Sequence, residues 1–352
     1  MTATELLERS APAWTAGPSG CLLWLRLQLS RNLAGMHFPR AADAKGRSEA
    51  LQKVKAAVER WNADGNDPLS GFAVSGFSRN ERELLEARRL LPAHFSDYHD
   101  QMMLFVDEKE ELSLLVNGFD HLRIQCMSGS RDAGCLWRKA AYLENMLGRT
   151  LAYAYDKEFG YLTASPYRTG TALRLSAALF LPGLVRSGAL SRIADNAARL
   201  GFSLRSLYEE IDDEMPYCEL TNTVTLGVSE KTLCERMDRL LKDIADAEAL
   251  AWKNVFRDGE MKIRDSIWRA LGTLKYARLI GRKETAACAG FLQIGGEENL
   301  FPMKDPLLFR KLLLTASPAY VREATHKEGL EGDEVDLWRA VLLRSLVTEA
   351  GF

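Results

Sequence analysis

The spacing of apolar residues changes character near residue 228. Before it, short alternating runs dominate: from Trp24 to Leu33, Leu25, Leu27 and Leu29 fall on one strand face and Arg26, Gln28 and Ser30 on the other. Between Ser48 and Asn62, Leu51, Val54, Ala57 and Val58 keep helical spacing. Ser78 and Glu81 form a capping box ahead of a second helix carrying Leu84, Leu85 and Leu90. Leu112 to Val116 and Asp120 to Gln125 read as strands joined at Asn117-Gly118, a dipeptide favoured in tight hairpins. A helix is predicted over Cys135 to Tyr155, strands over Tyr161 to Pro166 and Thr171 to Leu181 around a polar loop, and a helix over Leu184 to Leu200. The stretch from Gly201 to Leu226 is strand-rich, with an acidic loop from Glu209 to Glu214. From Ser229 the spacing is helical throughout, over Ser229 to Phe256, Ile263 to Leu279, Lys283 to Leu292, Leu307 to Thr315 and Glu334 to Val347. The pattern predicts an α+β domain followed by a helical one, with the boundary at Arg257 to Gly259. The first 20 residues, with little periodicity, read as a flexible arm, leaving 21–257 and 258–352 as the two domains.

Composition narrows the function classes. At ~150 residues per domain, 352 residues suit two domains. Forty-six Lys and Arg against 48 Asp and Glu, with 47% hydrophobic residues, exclude a polybasic nucleic-acid binder and a disordered chain. Glu5, Glu8 and Arg9 precede any apolar stretch, unlike a secretory signal, and the apolar run Ala177 to Val185 is short of the ~20 residues of a membrane span. A cytoplasmic protein with no membrane contact is expected. The six cysteines form no CxxC pair, which argues against a zinc ribbon or redox motif, and no metal-ligand set stands out; reduced, mostly buried thiols are expected.

A neutral total conceals a local pattern. Arg26, Arg123 and Arg174 each sit mid-strand between aliphatic neighbours, so each projects from the face opposite its leucines. Arg205, within Phe202 to Leu207, is a fourth of the kind. Outward arginines are ordinary on a half-exposed sheet; if these strands share one sheet, however, their guanidiniums cluster, and such forks match phosphate oxygens bidentately. No GxxxxGK[ST] or GxGxxG loop is present, so phosphate binding would not be of the Walker or Rossmann kind.

The segments LRLQLSRNL (25–33), VNGFDHLRIQ (116–125), FGYLTASPYRTGTALRLSAALFL (159–181), FSLRSLYEE (202–210) and LTNTVTLGVSE (220–230) resemble, in order, those of ATP:guanidino phosphotransferases, the phosphagen kinase family. The chain is most similar to the bacterial protein-arginine kinases, in which a guanidino-kinase catalytic domain, an antiparallel sheet flanked by helices, is followed by a small all-helical C-terminal domain. The resemblance spans about residues 22 to 347. It implies ATP and Mg²⁺ as cofactors, phosphoryl transfer to arginine side chains of proteins, and nucleotide-binding roles for Arg26, Arg123, Arg174 and Arg205, with Arg174 and Glu210 placed in catalysis. Glu210 is equally an acid of a solvated loop.

The departures from the family pattern fall at functional positions. Gln28 replaces a second arginine of the first strand, Ser165 replaces a thiol, and Gly118 and Phe119 replace two acidic residues, one of which orients the guanidinium and accepts its proton. A guanidinium has a pKa of ~12.5 or above, so removal of that acceptor strikes the chemistry itself. Arg168 either touches substrate or is solvated. In the helical domain the family's phosphoarginine-binding pattern is reduced to Asp336, Arg339 and Ala340 after Val335, and Asp336 with Arg339 is otherwise a helix-surface ion pair. Trp268, Leu337 and Trp338 are expected in that domain's core. The resemblance further implies a homodimer, a zinc-binding activator protein and a Clp-type protease as partners. Two functions stand: an arginine kinase, or a pseudokinase serving as a nucleotide-binding adaptor in protein quality control and stress response.

Overall fold

The computed structural model describes residues 1–8, 12–15, 20–93, 99–207 and 216–352. Its first element is a short helix, α1 (Ala3–Leu7), closed by a Thr2–Glu5 capping box. Leu6 is fully buried against Leu84, Leu85 and Leu90, and its carbonyl accepts from Arg88. This part of the expected flexible arm is therefore docked; two adjacent leucines create a contact without creating a period.

The catalytic-type domain then runs β1 (Leu22–Arg31), α2 (Ala44–Ala63), β2 (Ser70–Ala73), α3 (Arg79–Ala87), β3 (Met103–Val106), β4 (Leu112–Val116), β5 (Leu122–Ser128), α4 (Ala133–Gly148), β6 (Tyr155–Asp156), β7 (Gly160–Tyr161), β8 (Leu173–Phe180), α5 (Pro182–Arg186), α6 (Leu190–Arg199), β9 (Phe202–Ser206) and β10 (Tyr217–Asn222). Among the described residues the main sheet has eight strands in the order β2-β3-β4-β5-β1-β8-β10-β9, each antiparallel to its neighbours. The leucine face of β1, β5 and β8 is buried under α2, α4 and the first half of α7 (Glu230–Tyr276). That arrangement leaves the opposite, arginine-bearing face for other contacts.

Several boundaries differ from the pattern's prediction. The β4–β5 connection is five residues long, with Asn117 at φ +56 and its N–H bonded to the carbonyl of His121 at 2.9 Å, rather than a two-residue Asn-Gly turn. Tertiary bonds hold it open: Asp120 accepts from Asn32 Nδ2 and from the Ala164 N–H, both at 2.7 Å, and Nδ1 of His121 accepts from the Leu33 N–H at 3.2 Å. Helix α4 stops at Gly148, because Ala154 beyond it pairs instead with Asn32 and Leu162. The single helix expected over 184–200 is two, separated at Gly188, whose φ of +68 ends α5. Strands β2 and β3 carry too few residues to show a period.

In the second domain α7 continues through the expected boundary, with a break at Gly259 (φ −129, ψ 18). It is followed by α8 (Arg282–Glu297), α9 (Leu308–Thr315), α10 (Pro318–Thr325) and α11 (Asp333–Glu349). These helices do not stand apart. Phe309 of α9 packs on Phe180 and Tyr217 of the sheet with ring centroids 5.4 and 6.5 Å apart, and the Tyr217 hydroxyl donates to the Ala286 carbonyl at 2.8 Å. Trp268 and Leu337, expected in the core, are half exposed, at 52% and 44%. Cys126, Cys218, Cys234 and Cys288 are buried free thiols, whereas Cys135 is exposed.

Candidate functional site

Strand register places the arginines. Arg26 lies opposite Met127 and Ser176, Gln28 opposite Gln125 and Arg174, Ser30 opposite Arg123, and Glu219 opposite Arg205. Glu219 and Thr221 in turn face Ala178 and Ser176. Directly paired residues share a face, so Arg26, Arg123, Arg174 and Arg205 all rise from the same side. That side floors a cleft of about 990 Å³, lined by Arg174, Arg205 and Glu219 from the sheet, by Glu86 and Arg89 from the α3 end, and by Leu313, Leu314, Ala316 and Ser317 with Arg282 from the helical domain. The volume suits a nucleotide-sized ligand.

The cluster is electrostatically tense. Burial, then the Arg89 guanidinium, with Arg174 and Arg123 behind it, pulls Arg26 down to about 9 against the upward pull of Glu219. Arg168 is lowered by burial and by Arg174, and supported by Asp120. Nε of Arg26 and Nε of Arg174 are buried with no hydrogen-bond partner among the described residues. Buried guanidinium N–H groups left over in such a cluster are what the oxygens of a polyphosphate satisfy, and the site fits such a group.

Local structure fixes each arginine. Asn222 braces the strand of Arg174, accepting from the Leu175 N–H at 2.7 Å and donating to the Leu173 carbonyl at 3.1 Å. The loop bearing Arg168 is clamped by Thr225, whose hydroxyl donates to the Thr169 carbonyl at 2.8 Å. Gly170, at φ +116, allows that approach, since a Cβ there would lie 2.3 Å from the Thr225 carbonyl oxygen. Arg123 spends Nη2 on the Leu90 carbonyl at 2.6 Å. Arg205 is exposed, on the edge strand.

The neutral residue at position 28 has a role. Gln28 donates to Gln125 at 2.8 Å, and Gln125 donates to the Arg89 carbonyl at 2.9 Å. The chain of amides holds Arg89 at φ +66, with its guanidinium 5.3 Å from the centre of the Trp24 ring and that of Arg26 5.2 Å from the same ring. A loop guanidinium thus joins those of the strands beside Arg26. Arg89 carried no sequence signal, because loop residues follow no period; the Arg88-Arg89 pair closing an amphipathic helix is the nearest to one.

Elsewhere the chemistry is missing or committed. At the β4–β5 turn Phe119 is 47% exposed, while Asp120 is buried and consumed by Asn32 and Ala164. Glu210 lies outside the described residues. Asp336 and Arg339 form the expected i,i+3 pair, but its cation is not on the surface: Arg339 is 2% exposed, donating to Asp336 and to the Ile280 carbonyl at 2.9 Å, which ties α11 to the loop before α8. Trp338 is covered by Lys327, 4.2 Å from its ring centre.

An antiparallel sheet that presents a cleft of guanidiniums and leads into a helical domain is the arrangement of a guanidino-kinase fold. Residues 49–251 match the sequence model of the ATP:guanido phosphotransferase C-terminal catalytic domain, and residues 260–351 that of the protein-arginine kinase McsB C-terminal domain. The chain belongs to the ATP:guanido phosphotransferase family, as a divergent relative of the bacterial protein-arginine kinases. It is 28% identical over 351 residues to the protein-arginine kinase of Pelotomaculum thermopropionicum, covering 98% of each chain, and 28% identical over 346 residues to that of Symbiobacterium thermophilum, covering 97% and 98%. Among solved structures it resembles the duplicated taurocyamine kinase of Schistosoma mansoni with bound transition-state analogue components (TM-score 0.60, 17% identity, 70% of this chain and 36% of that one). Lombricine kinase is similar at TM-score 0.58 and 17% identity, over 70% of this chain and 71% of that one. These structures share the fold.

Proposed function

We propose that the cleft binds the polyphosphate of ATP or ADP, and that phosphoryl transfer to a protein arginine is slow in this member of the family. The observation that carries the reading is the β4–β5 turn: an exposed phenylalanine and a glycine occupy it, and its one carboxylate, Asp120, faces the protein interior. Arg26, Arg174 and Arg205 would hold the phosphates, Arg168 and Arg89 would add charge at the edges, and Mg²⁺ arriving with the nucleotide would neutralise phosphate charge. The ground state of the donor is therefore well provided for. The acceptor is not, since a guanidinium must lose a proton to become a nucleophile and general-base help is worth ~10²–10⁴ in rate. Binding with little turnover is the property of a regulatory adaptor rather than of a catalyst.

Calorimetric titration of the purified protein with ADP and Mg²⁺ tests the binding half. Saturable binding is expected, weakened at least about tenfold in Arg174→Ala, a loss of ~1.4 kcal/mol. Absence of binding heat across a range of temperatures in the wild-type protein would show that the arginine cleft serves some other purpose.

A further inference from the structure

Glu219 is the anomaly of the arginine face. On β10 its neighbours Cys218 and Leu220 are buried in the leucine core, so alternation sends Glu219 to the other side. There it lies opposite Arg205, and its Oε1 is 3.2 Å from Nη2 of Arg26, which also approaches the Ser176 hydroxyl at 3.5 Å. The rest of the paired surface is cationic or neutral: Arg26, Arg123, Arg174, Arg205, Gln28, Gln125, Ser176 and Thr221. Glu83, at the cleft wall, is committed to Arg79 and Arg322, each at 3.0 Å.

Glu219 is in the wrong place to replace the carboxylate absent from the 117–119 turn. The turn adjoins the Ser30–Arg123 pair, and Arg26 lies four residues further along β1, a rise of ~13 Å, with Glu219 two strands beyond. It sits instead among the phosphate-binding guanidiniums. A carboxylate there opposes any bare anion that enters.

We propose that Glu219 is an internal counterion of Arg26 which incoming phosphates displace, and that the displaced carboxylate makes the cleft select metal-bound over metal-free nucleotide. The inference rests on the nucleotide-binding reading above. Once Arg26 turns to a phosphate oxygen, Glu219 is left within a few ångströms of like charge, a repulsion relieved when a divalent cation stands between them. Its ion pair with Arg26 also helps keep that buried cation charged: burial and Arg89 work against the charge, and Glu219 works for it.

The test compares ADP in excess Mg²⁺, ADP in EDTA and inorganic pyrophosphate in EDTA, titrated into the wild-type protein and into Glu219→Gln. The glutamine keeps the shape and can still accept a bond from Arg26. Metal-free ADP and pyrophosphate are expected to bind at least about tenfold more tightly to the variant, while affinity for Mg²⁺-ADP changes little, so the ratio between the two nucleotide forms collapses. Equal weakening of all three ligands would make Glu219 a mere brace for Arg26 and overturn the proposal, as would no change in any. The wild-type protein supplies a reading independent of the variant's folding: Mg²⁺-ADP must bind at least about tenfold more tightly than ADP in EDTA, and equal affinities overturn the proposal. If the wild-type protein binds no nucleotide in either form, the nucleotide reading falls together with it; if it binds both forms alike, only the role of Glu219 falls.

Discussion

A single largely buried side chain, Arg26, concentrates the physics of the cleft. It stacks on Trp24, pairs with Glu219 and stands among Arg89, Arg174 and Arg123. Burial and those cations lower its pKa to about 9. The sign of the consequence for binding is fixed: below pH 9 the free protein carries the cation that a phosphate needs, and above it the proton must be regained on binding. Nucleotide affinity is therefore expected to be flat from pH 7 to 8.5 and to fall by up to about tenfold per pH unit above 9. Isothermal titrations in buffers of matched ionic strength check this, and Arg26→Gln is expected to bind more weakly throughout and to lose the inflection. A wild-type profile with no inflection near pH 9 contradicts the assignment. At this scale the sequence was unusually readable, because a period of two shows which face a strand residue takes, and it selected Arg26, Arg123, Arg174 and Arg205 without coordinates. It was silent on Arg89, which has a loop conformation, and on Glu219, whose partner is remote in the chain.

At the level of elements, the arginine-bearing face is also the face on which the helical domain docks. Tyr217 opens β10 two residues from Glu219 and pairs with Phe180 at the end of β8, and Phe309 of α9 closes over both rings. Gly290 on α8 permits this closeness, since a Cβ there would lie 3.0 Å from the Phe180 ring. Phe309→Ala should cost about 3–5 kcal/mol of stability in urea unfolding, as a buried aromatic lost from a packed stack does. Because Leu313 and Leu314 of the same helix line the cleft, the variant should also weaken nucleotide binding. Stability unchanged within 1 kcal/mol would show that the domains are not joined through this stack. None of this packing was legible in the sequence. Helical spacing identified α8, α9 and α11, but a spacing does not name the surface an apolar stripe will meet. Trp268 and Leu337 were misplaced for the same reason, and the β4–β5 turn was shortened because the bonds that open it come from Asn32, Leu33 and Ala164, far away in sequence.

For the molecule as a whole, a net charge of −2 is the sum of a guanidinium cleft and acids distributed elsewhere. The cleft is walled on one side by the sheet and on the other by the helical domain, while the β4–β5 turn presents an exposed phenylalanine and turns its Asp120 carboxylate inward. On the function proposed above, binding and catalysis separate within one fold. Position 119 is the place to rejoin them, because it is exposed, whereas a side chain at Gly118 would meet Leu115 at 3.1 Å. The measurement that bears most directly on this separation is the rate of acid-labile phosphate formation on arginines of a substrate protein, with ATP and Mg²⁺, for the wild-type protein and for Phe119→Glu. The wild type is predicted to bind nucleotide yet transfer phosphate at least ~10²-fold more slowly than Phe119→Glu, in line with the worth of a general base. Rapid wild-type transfer that Arg174→Ala abolishes and Phe119→Glu leaves unchanged would contradict it.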